Sequence, residues 1–240
     1  MRSISIIHAS RTRPVQAAQT ALKWLNSASN RFNIEYIMVI DESDPVKDFY
    51  YQYVSKHVSV REFDNKSAIE AFNIGAQQSE GDILVCVSDD FDCPNFWDAK
   101  LLSFLDGKED FILKTQDGAQ PWIITIPILD RKYFERFGYV YNPKFLHLFC
   151  DTELTHVADL LGRKISMPLE LPHNHYTTGR VAKDAINAKN DATWAQGEAI
   201  YLEGVRNNFG LRPDQIKGHL NCDKGHIEWL KSKGIQIEMI

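Results

Sequence analysis

The sequence predicts an α/β layered fold built on a mainly parallel sheet. Short, continuously apolar runs of strand length recur through the first half of the chain, as buried parallel strands do. Between them lie stretches whose apolar residues follow helical spacing. The fourth run delivers an acidic cluster at its carboxyl end, where open α/β sheets bind ligands.

Taken in order, Ile4 to His8 reads as a short buried strand. Pro14 suits a first helical position, and Val15, Ala18, Leu22 and Leu25 continue at helical spacing. Ile34 to Ile40 is a strand ending at Asp41, followed by a helix over Val46 to Lys56 and a strand from Val58 to Phe63. Ala68, Ile69, Phe72 and Ala76 form a helical stripe that stops near Gly81. Ile83 to Val87 is rich in β-formers and leads into Ser88, Asp89 and Asp90. The second half is less regular. Phe111 to Lys114 and Ile123 to Ile126 read as strands, and Asp130 to Phe137 as a helix stopped by Gly138. Leu154, Val157, Ala158 and Leu161 make an amphipathic helix closed by Gly162, a suitable residue just past a helix end. Pro168, Pro172 and Gly179 bracket an irregular stretch. Ala185 to Val205 is polar and weakly periodic, a surface helix or a mobile segment.

The 240 residues suffice for a sizeable core, and 44% apolar with 25% charged residues is globular composition. A net charge of −5 argues against nucleic acid as a partner. No stretch approaches the roughly 20 apolar residues of a membrane span, and the N-terminal apolar run is too short for a signal peptide. The four cysteines lack framework spacing and read as reduced thiols, which makes a cytoplasmic location the expectation.

The strongest chemical signal is Ser88-Asp89-Asp90-Phe91-Asp92. Three carboxylates in four positions repel one another, and a bound cation relieves that cost. Asp90 and Asp92 are spaced to offer hard oxygens to Mg²⁺ or Mn²⁺; a solvated acidic turn is the alternative. In the extended segment after Pro172, His173 and His175 share a face.

Ile4 to Ile7, Arg11-Thr-Arg-Pro14, the strand ending at Asp41, Asn73-Ile-Gly75, Glu80-Gly-Asp82 and Val87-Ser-Asp-Asp90 follow one another in a recognisable order. Asp130, Gly138 and the Asp151-Thr-Glu-Leu154 helix ending at Gly162 continue it. This order resembles glycosyltransferase family 2 over roughly residues 3 to 180. It departs at Phe72, where many members have Arg, and at Cys150, where an acidic residue often precedes the Asp.

The resemblance implies a GT-A, Rossmann-like fold in one domain over 1–240. Residues 1–92 would form the nucleotide-sugar-binding half and 93–240 the acceptor-binding half. It implies an inverting transferase that moves a sugar from a nucleoside-diphosphate sugar, UDP being the commonest, to a carbohydrate or other hydroxyl acceptor with Mn²⁺ or Mg²⁺. Ala9, Ser10, Arg11, Arg13, Asp41, Lys66, Asn73, Asp89 and Asp90 are the donor-binding candidates. Asp90 and Asp92, completed by His175 or His173, are the metal candidates. Asp151 is the candidate base, with Glu153 as fallback, though Asp is also a preferred helix cap. Trp122, Tyr139 and Trp194 are candidates for stacking on sugar, and residues 177–190 for a lid. A sugar-1-phosphate nucleotidyltransferase and a non-catalytic nucleotide-sugar-binding module are the rival readings. The former usually carries a Gly-rich loop after its first strand, and Ala9 to Pro14 contains no Gly.

Overall fold

The computed structural model describes residues 2–176, 179, 182–183 and 185–236. The first half alternates as expected: β1 (Ile4–Ala9), α1 (Pro14–Ser27), β2 (Ile34–Asp41), α2 (Lys47–Tyr53), β3 (Ser59–Phe63), α3 (Ala68–Gln77) and β4 (Ile83–Val87). The second half adds α4 (Trp97–Phe104), β5 (Ile112–Gln116), β6 (Ile128–Asp130), α5 (Arg131–Glu135), α6 (Cys150–Leu160) and β7 (Lys164–Glu170). It ends with α7 (Ala185–Asp191), α8 (Trp194–Arg206) and α9 (Lys224–Ser232). The strands form one sheet in the order β3-β2-β1-β4-β6-β5-β7. β1 pairs in parallel with β2 and β4, β2 with β3, and β5 with β7, whereas β6 runs antiparallel to both neighbours.

Side-chain alternation along the strands fills two cores, one on each face. Ile6, Met38 and Val85 pack with Trp24 of α1 and Trp97 of α4. Ile7, Val39 and Cys86 pack with α3, α6 and α8. Burial on both faces explains why the strands read as unbroken apolar runs. The face of α1 differs from expectation. Val15 and Leu22 are exposed, and the buried stripe is Ala17, Thr20, Ala21, Trp24 and Leu25. Trp24 sets that face: its ring meets Trp97 edge-on at 4.9 Å.

Three other differences have physical causes. Ile123 to Ile126 is not a strand. Its Ile124 N–H donates to Thr155 Oγ1 at 2.8 Å, and Thr125 Oγ1 donates to Asp117 Oδ2 at 2.6 Å. Ile124 and Ile126 are buried in opposite cores, so their apolarity reflects burial of an irregular segment. The sheet takes Ile128–Asp130 in its place. β7 runs through Pro168, a residue tolerated on a strand that pairs on one side only. Finally, Ala185 to Val205 forms two helices, and the second buries Tyr201 and Leu202. Residues 177, 178, 180, 181 and 184 of the expected lid lie outside the described residues. None of the described helices is long and apolar enough to cross a membrane.

Candidate active site

The carboxyl ends of β1 and β4 open into a cleft of about 310 Å³. The loop after β1 contributes Ala9, Ser10, Arg11 and Arg13 to its lining; the start of α3 contributes Asn65 to Ala68, with Ala71 and Phe72. Ser88 to Phe91, Leu146 to Leu148, Cys150 and Asp151 line it as well. His173 and His175 belong to the lining, as do Asn187, Lys189 and Asn190 of α7.

Asp89 is fixed by three residues of the first βα unit. His8 Nε2 lies 2.9 Å from its Oδ1, Ser10 Oγ donates to Oδ2 at 3.0 Å, and the Arg13 guanidinium lies 4.0 Å away. Tyr36 and Tyr50 support the set: Tyr36 Oη is 2.8 Å from His8 Nδ1, and Tyr50 Oη is 3.0 Å from Ser10 Oγ. His8 and Tyr50 escaped the sequence reading. His8 looks like one more residue of a buried strand, and Tyr50 reaches the cleft from α2 only through the fold.

Asp90 sits among donors. Ser88 Oγ donates to its Oδ1 at 2.6 Å, and His173 Nε2 lies 3.2 Å from Oδ2. Burial raises this carboxyl, but the His173 hydrogen bond and charge, Ser88 and the charge of His175 together hold it well below its ordinary range. Its ionised form is therefore built in. The backbone explains how a residue 83 positions later arrives here. Phe91 and His173 form an antiparallel bridge, Asp92 N–H donates to Pro172 O at 3.0 Å and Asn174 N–H to Asp90 O at 2.8 Å. The His173 ring stacks on Phe91 at 4.2 Å and lies 5.1 Å from the His175 ring.

Asp92 points elsewhere. Its carboxylate accepts from Cys93 N–H at 2.7 Å and lies 3.7 Å from Lys23 Nζ, off the cleft lining. Among the described residues no group of three His, Cys, Asp or Glu side chains could hold a metal ion alone. Asp90 and His173, with His175 nearby, still fit as protein ligands for Mg²⁺ or Mn²⁺ if substrate supplies the rest of the shell. Such ions commonly keep one or two carboxylates and complete their shell with substrate phosphates and water.

Asp151 occupies the second position of α6, since Phe149 is the N-cap. Phe149 holds a left-handed φ of 69°, and its ring is gripped by Trp194, Tyr201 and Trp229 at 5.0, 5.5 and 5.7 Å. That clamp starts α6 so that Asp151 enters the cleft. Its Oδ1 accepts from Thr152 N–H at 2.8 Å. Burial raises the Asp151 carboxyl above its ordinary value, against hydrogen bonds from Thr152 that lower it. Its neighbour His147, which the sequence reading also missed, is pushed down to about 4, mainly by burial.

Besides Asp92, the candidates Glu153, Asn73 and Asp41 stand off the cleft. Glu153 is buried, accepts from Asn142 Nδ2 at 2.6 Å, and is raised by burial. Asn73 donates to Tyr141 O at 2.7 Å and accepts from Val140 and Tyr141 N–H at 2.9 and 3.0 Å. It thereby ties α3 to the segment leading into α6. Asp41 is covered: Arg11 Nη1 pairs with Oδ2, and Ser43 N–H and Oγ donate to Oδ1 at 2.7 and 2.6 Å. Arg11, not Asp41, faces the cleft. Lys66 lines it as expected. Trp122, Tyr139 and Trp194 do not; Trp122 stacks on His156 at 5.1 Å.

Comparison with known proteins adds the following. The sequence profile described as "Glycosyl transferase family 2" matches residues 11–145. Curated proteins provide no match. Among solved structures, the chain is similar to mannosyltransferase PcManGT from Pyrobaculum calidifontis in complex with GDP-Man and Mn²⁺. The TM-score is 0.60 at 12% identity, over 89% of this chain and 66% of that one. It is also similar to S. aureus TarS, with TM-score 0.56 at 13% identity over 88% and 46% of the two chains. GalNAc-T7 with UDP, GalNAc and Mn²⁺ gives TM-score 0.56 at 13% identity over 72% and 44%. The chain thus spans between 44% and 66% of the lengths of these three structures.

Proposed function

Since this chain belongs to glycosyl transferase family 2 and is a glycosyltransferase of GT-A fold, we propose that it transfers a sugar, with inversion, from a nucleoside-diphosphate sugar to a hydroxyl acceptor. The observation that carries this reading is one cleft holding an ionised Asp90 beside His173 and an Asp151 raised by burial. One end is made to stay charged against a cation, and the other to accept a proton.

The donor half is residues 1–92 and the acceptor half 93–240. Asp89, held by His8 and Ser10, is placed to accept from ribose hydroxyls. Ser10, Arg11 and Ala9 border the nucleoside, which lies over the carboxyl ends of the parallel strands. The neighbours in complex with Mn²⁺ support a divalent metal here. Asp90 with His173 and His175 would hold it, and it would supply neutralisation of charge on the diphosphate. Asp151 takes the proton from the acceptor hydroxyl as the acceptor oxygen attacks the anomeric carbon. Burial serves this step, because a base works best when its pKa approaches the working pH. UDP and GDP are the leading donor nucleotides, both seen with neighbours.

Calorimetric titration with UDP and GDP, with Mn²⁺ and then with EDTA, tests the donor end. One of the two should bind with Mn²⁺ and lose at least ten-fold in affinity in EDTA, and Asp90→Ala should remove that metal dependence. Equal affinity in both conditions would refute the assignment.

A further inference from the structure

Cleavage of a nucleoside-diphosphate sugar leaves the bonding electron pair on the β-phosphate oxygen. The cleft already holds Asp89, Asp90 and Asp151, so a departing diphosphate needs cations beyond one divalent ion. The cations in the lining are Arg11, Arg13, Lys66 and Lys189. Arg11 is committed to Asp41 and Ser43. Arg13 lies beside Asp89. Further along α3 the lining is Ala71 and Phe72, which bring no charge.

Lys189 differs from these. It is exposed, lines the cleft from α7, and makes no ion pair with the described residues. Its helix is braced at both flanks of the site. The Asp191 carboxylate accepts from Tyr176 Oη at 2.8 and 2.9 Å and pairs with Lys183 at 2.5 Å, which ties α7 to the segment bearing His173 and His175. Thr193 Oγ1 donates to Asn190 O at 2.7 Å and accepts from Leu148 N–H at 3.3 Å, which ties it to the segment leading into Asp151. A lysine that makes no ion pair among the described residues is thus carried into the cleft lining on a helix tied to the segments bearing the metal-side histidines and the base.

Building on the transfer reading above, we propose that Lys189 binds the diphosphate of the donor and stabilises it as leaving group. In the step, the bond between the anomeric carbon and the β-phosphate oxygen breaks, and its electron pair stays on that oxygen. The acceptor oxygen bonds to the anomeric carbon, and its proton goes to Asp151. Lys189 remains protonated throughout, donating to the phosphate as the charge builds.

The test is calorimetry in Mg²⁺ with UDP, GDP, UMP and GMP, using the base that wild type prefers. Lys189→Ala should weaken the diphosphate about ten-fold or more while changing the monophosphate less than about two-fold. Lys189→Arg should recover most of the loss, and Lys66→Ala gives the comparison for a rim lysine. As Lys189 is exposed, the melting temperature should stay at the wild-type value. A Lys189→Ala protein that binds the diphosphate normally, or loses mono- and diphosphate equally, overturns the proposal. Wild type that binds neither diphosphate overturns the functional reading itself, and this proposal with it.

Discussion

Asp151 and Asp90 show how one cleft gives two carboxylates opposite properties. Both are shielded from water, which raises a carboxyl. Asp90 meets His173, Ser88 and His175 and ends well below its ordinary range, whereas Asp151 meets chiefly Thr152 and stays raised. For Asp151→Asn, turnover should fall by about 10²- to 10⁴-fold, the usual contribution of a general base. Stability should hold, because Asn keeps the acceptor for Thr152 N–H and removes a buried charge. In wild type, kcat should decline as the pH drops through the raised Asp151 pKa, above the ordinary Asp value of about 4, and this limb should vanish in Asp151→Asn. A pH–rate profile of both proteins checks it; an unchanged acid limb in the variant would leave Asp151 without the role. Asp89 and Asp90 were legible as an acidic cluster directly after the apolar run of β4, whereas Asp151 was singled out by the resemblance of Asp151-Thr-Glu-Leu154 to the family's helix start. Asn73 and Asp41 were legible as neighbours of the cleft but not in their contacts. Which way a short polar side chain points is decided by partners such as Tyr141 O and Arg11, far away in sequence.

Among the elements, α3 shows most directly how packing sets the cleft. Ser67 Oγ caps it by accepting from Glu70 N–H at 3.2 Å, and its first residues reach the cleft. Gly75 lets it lie against the sheet: a Cβ there would overlap Ile7 Cγ2 and stand 3.0 Å from Val39 Cγ2. Gly75→Ala should therefore destabilise the protein by about 1–2 kcal/mol. Overpacking at about 1–3 kcal/mol exceeds the gain in helix propensity of up to about 1. Chemical denaturation measures this, and a variant as stable as wild type would show that α3 shifts freely. The elements of the first half were legible because strands buried on both faces are apolar without interruption. β7 and α9 were not. β7 alternates weakly and carries Pro168, and α9 is short, capped by Asp223 accepting from His226 N–H at 2.8 Å. It is anchored by Leu230, buried in the α3-side core, with Trp229 packed against the same core.

At the scale of the molecule, the site exists because distant segments converge on the carboxyl ends of β1 and β4. Residues 88–91 arrive from β4, 173–175 by an antiparallel bridge, and 147–151 through the clamp on Phe149. The parallel sheet and its binding edge follow from sequence periodicity and the general placement of ligands in α/β folds. The convergence of the last two segments does not, because it depends on Phe149, Trp194 and Trp229 meeting across the second half. On the reading proposed above, this convergence makes a metal-dependent transferase. Its most direct test is the amount of nucleoside diphosphate released, by chromatography, when the protein meets a panel of nucleoside-diphosphate sugars, hydroxyl acceptors and Mn²⁺. The expected result is release from one donor, lost in EDTA and reduced at least 100-fold in Asp90→Ala. Release from no donor, or equal release by Asp90→Ala, would contradict the claim.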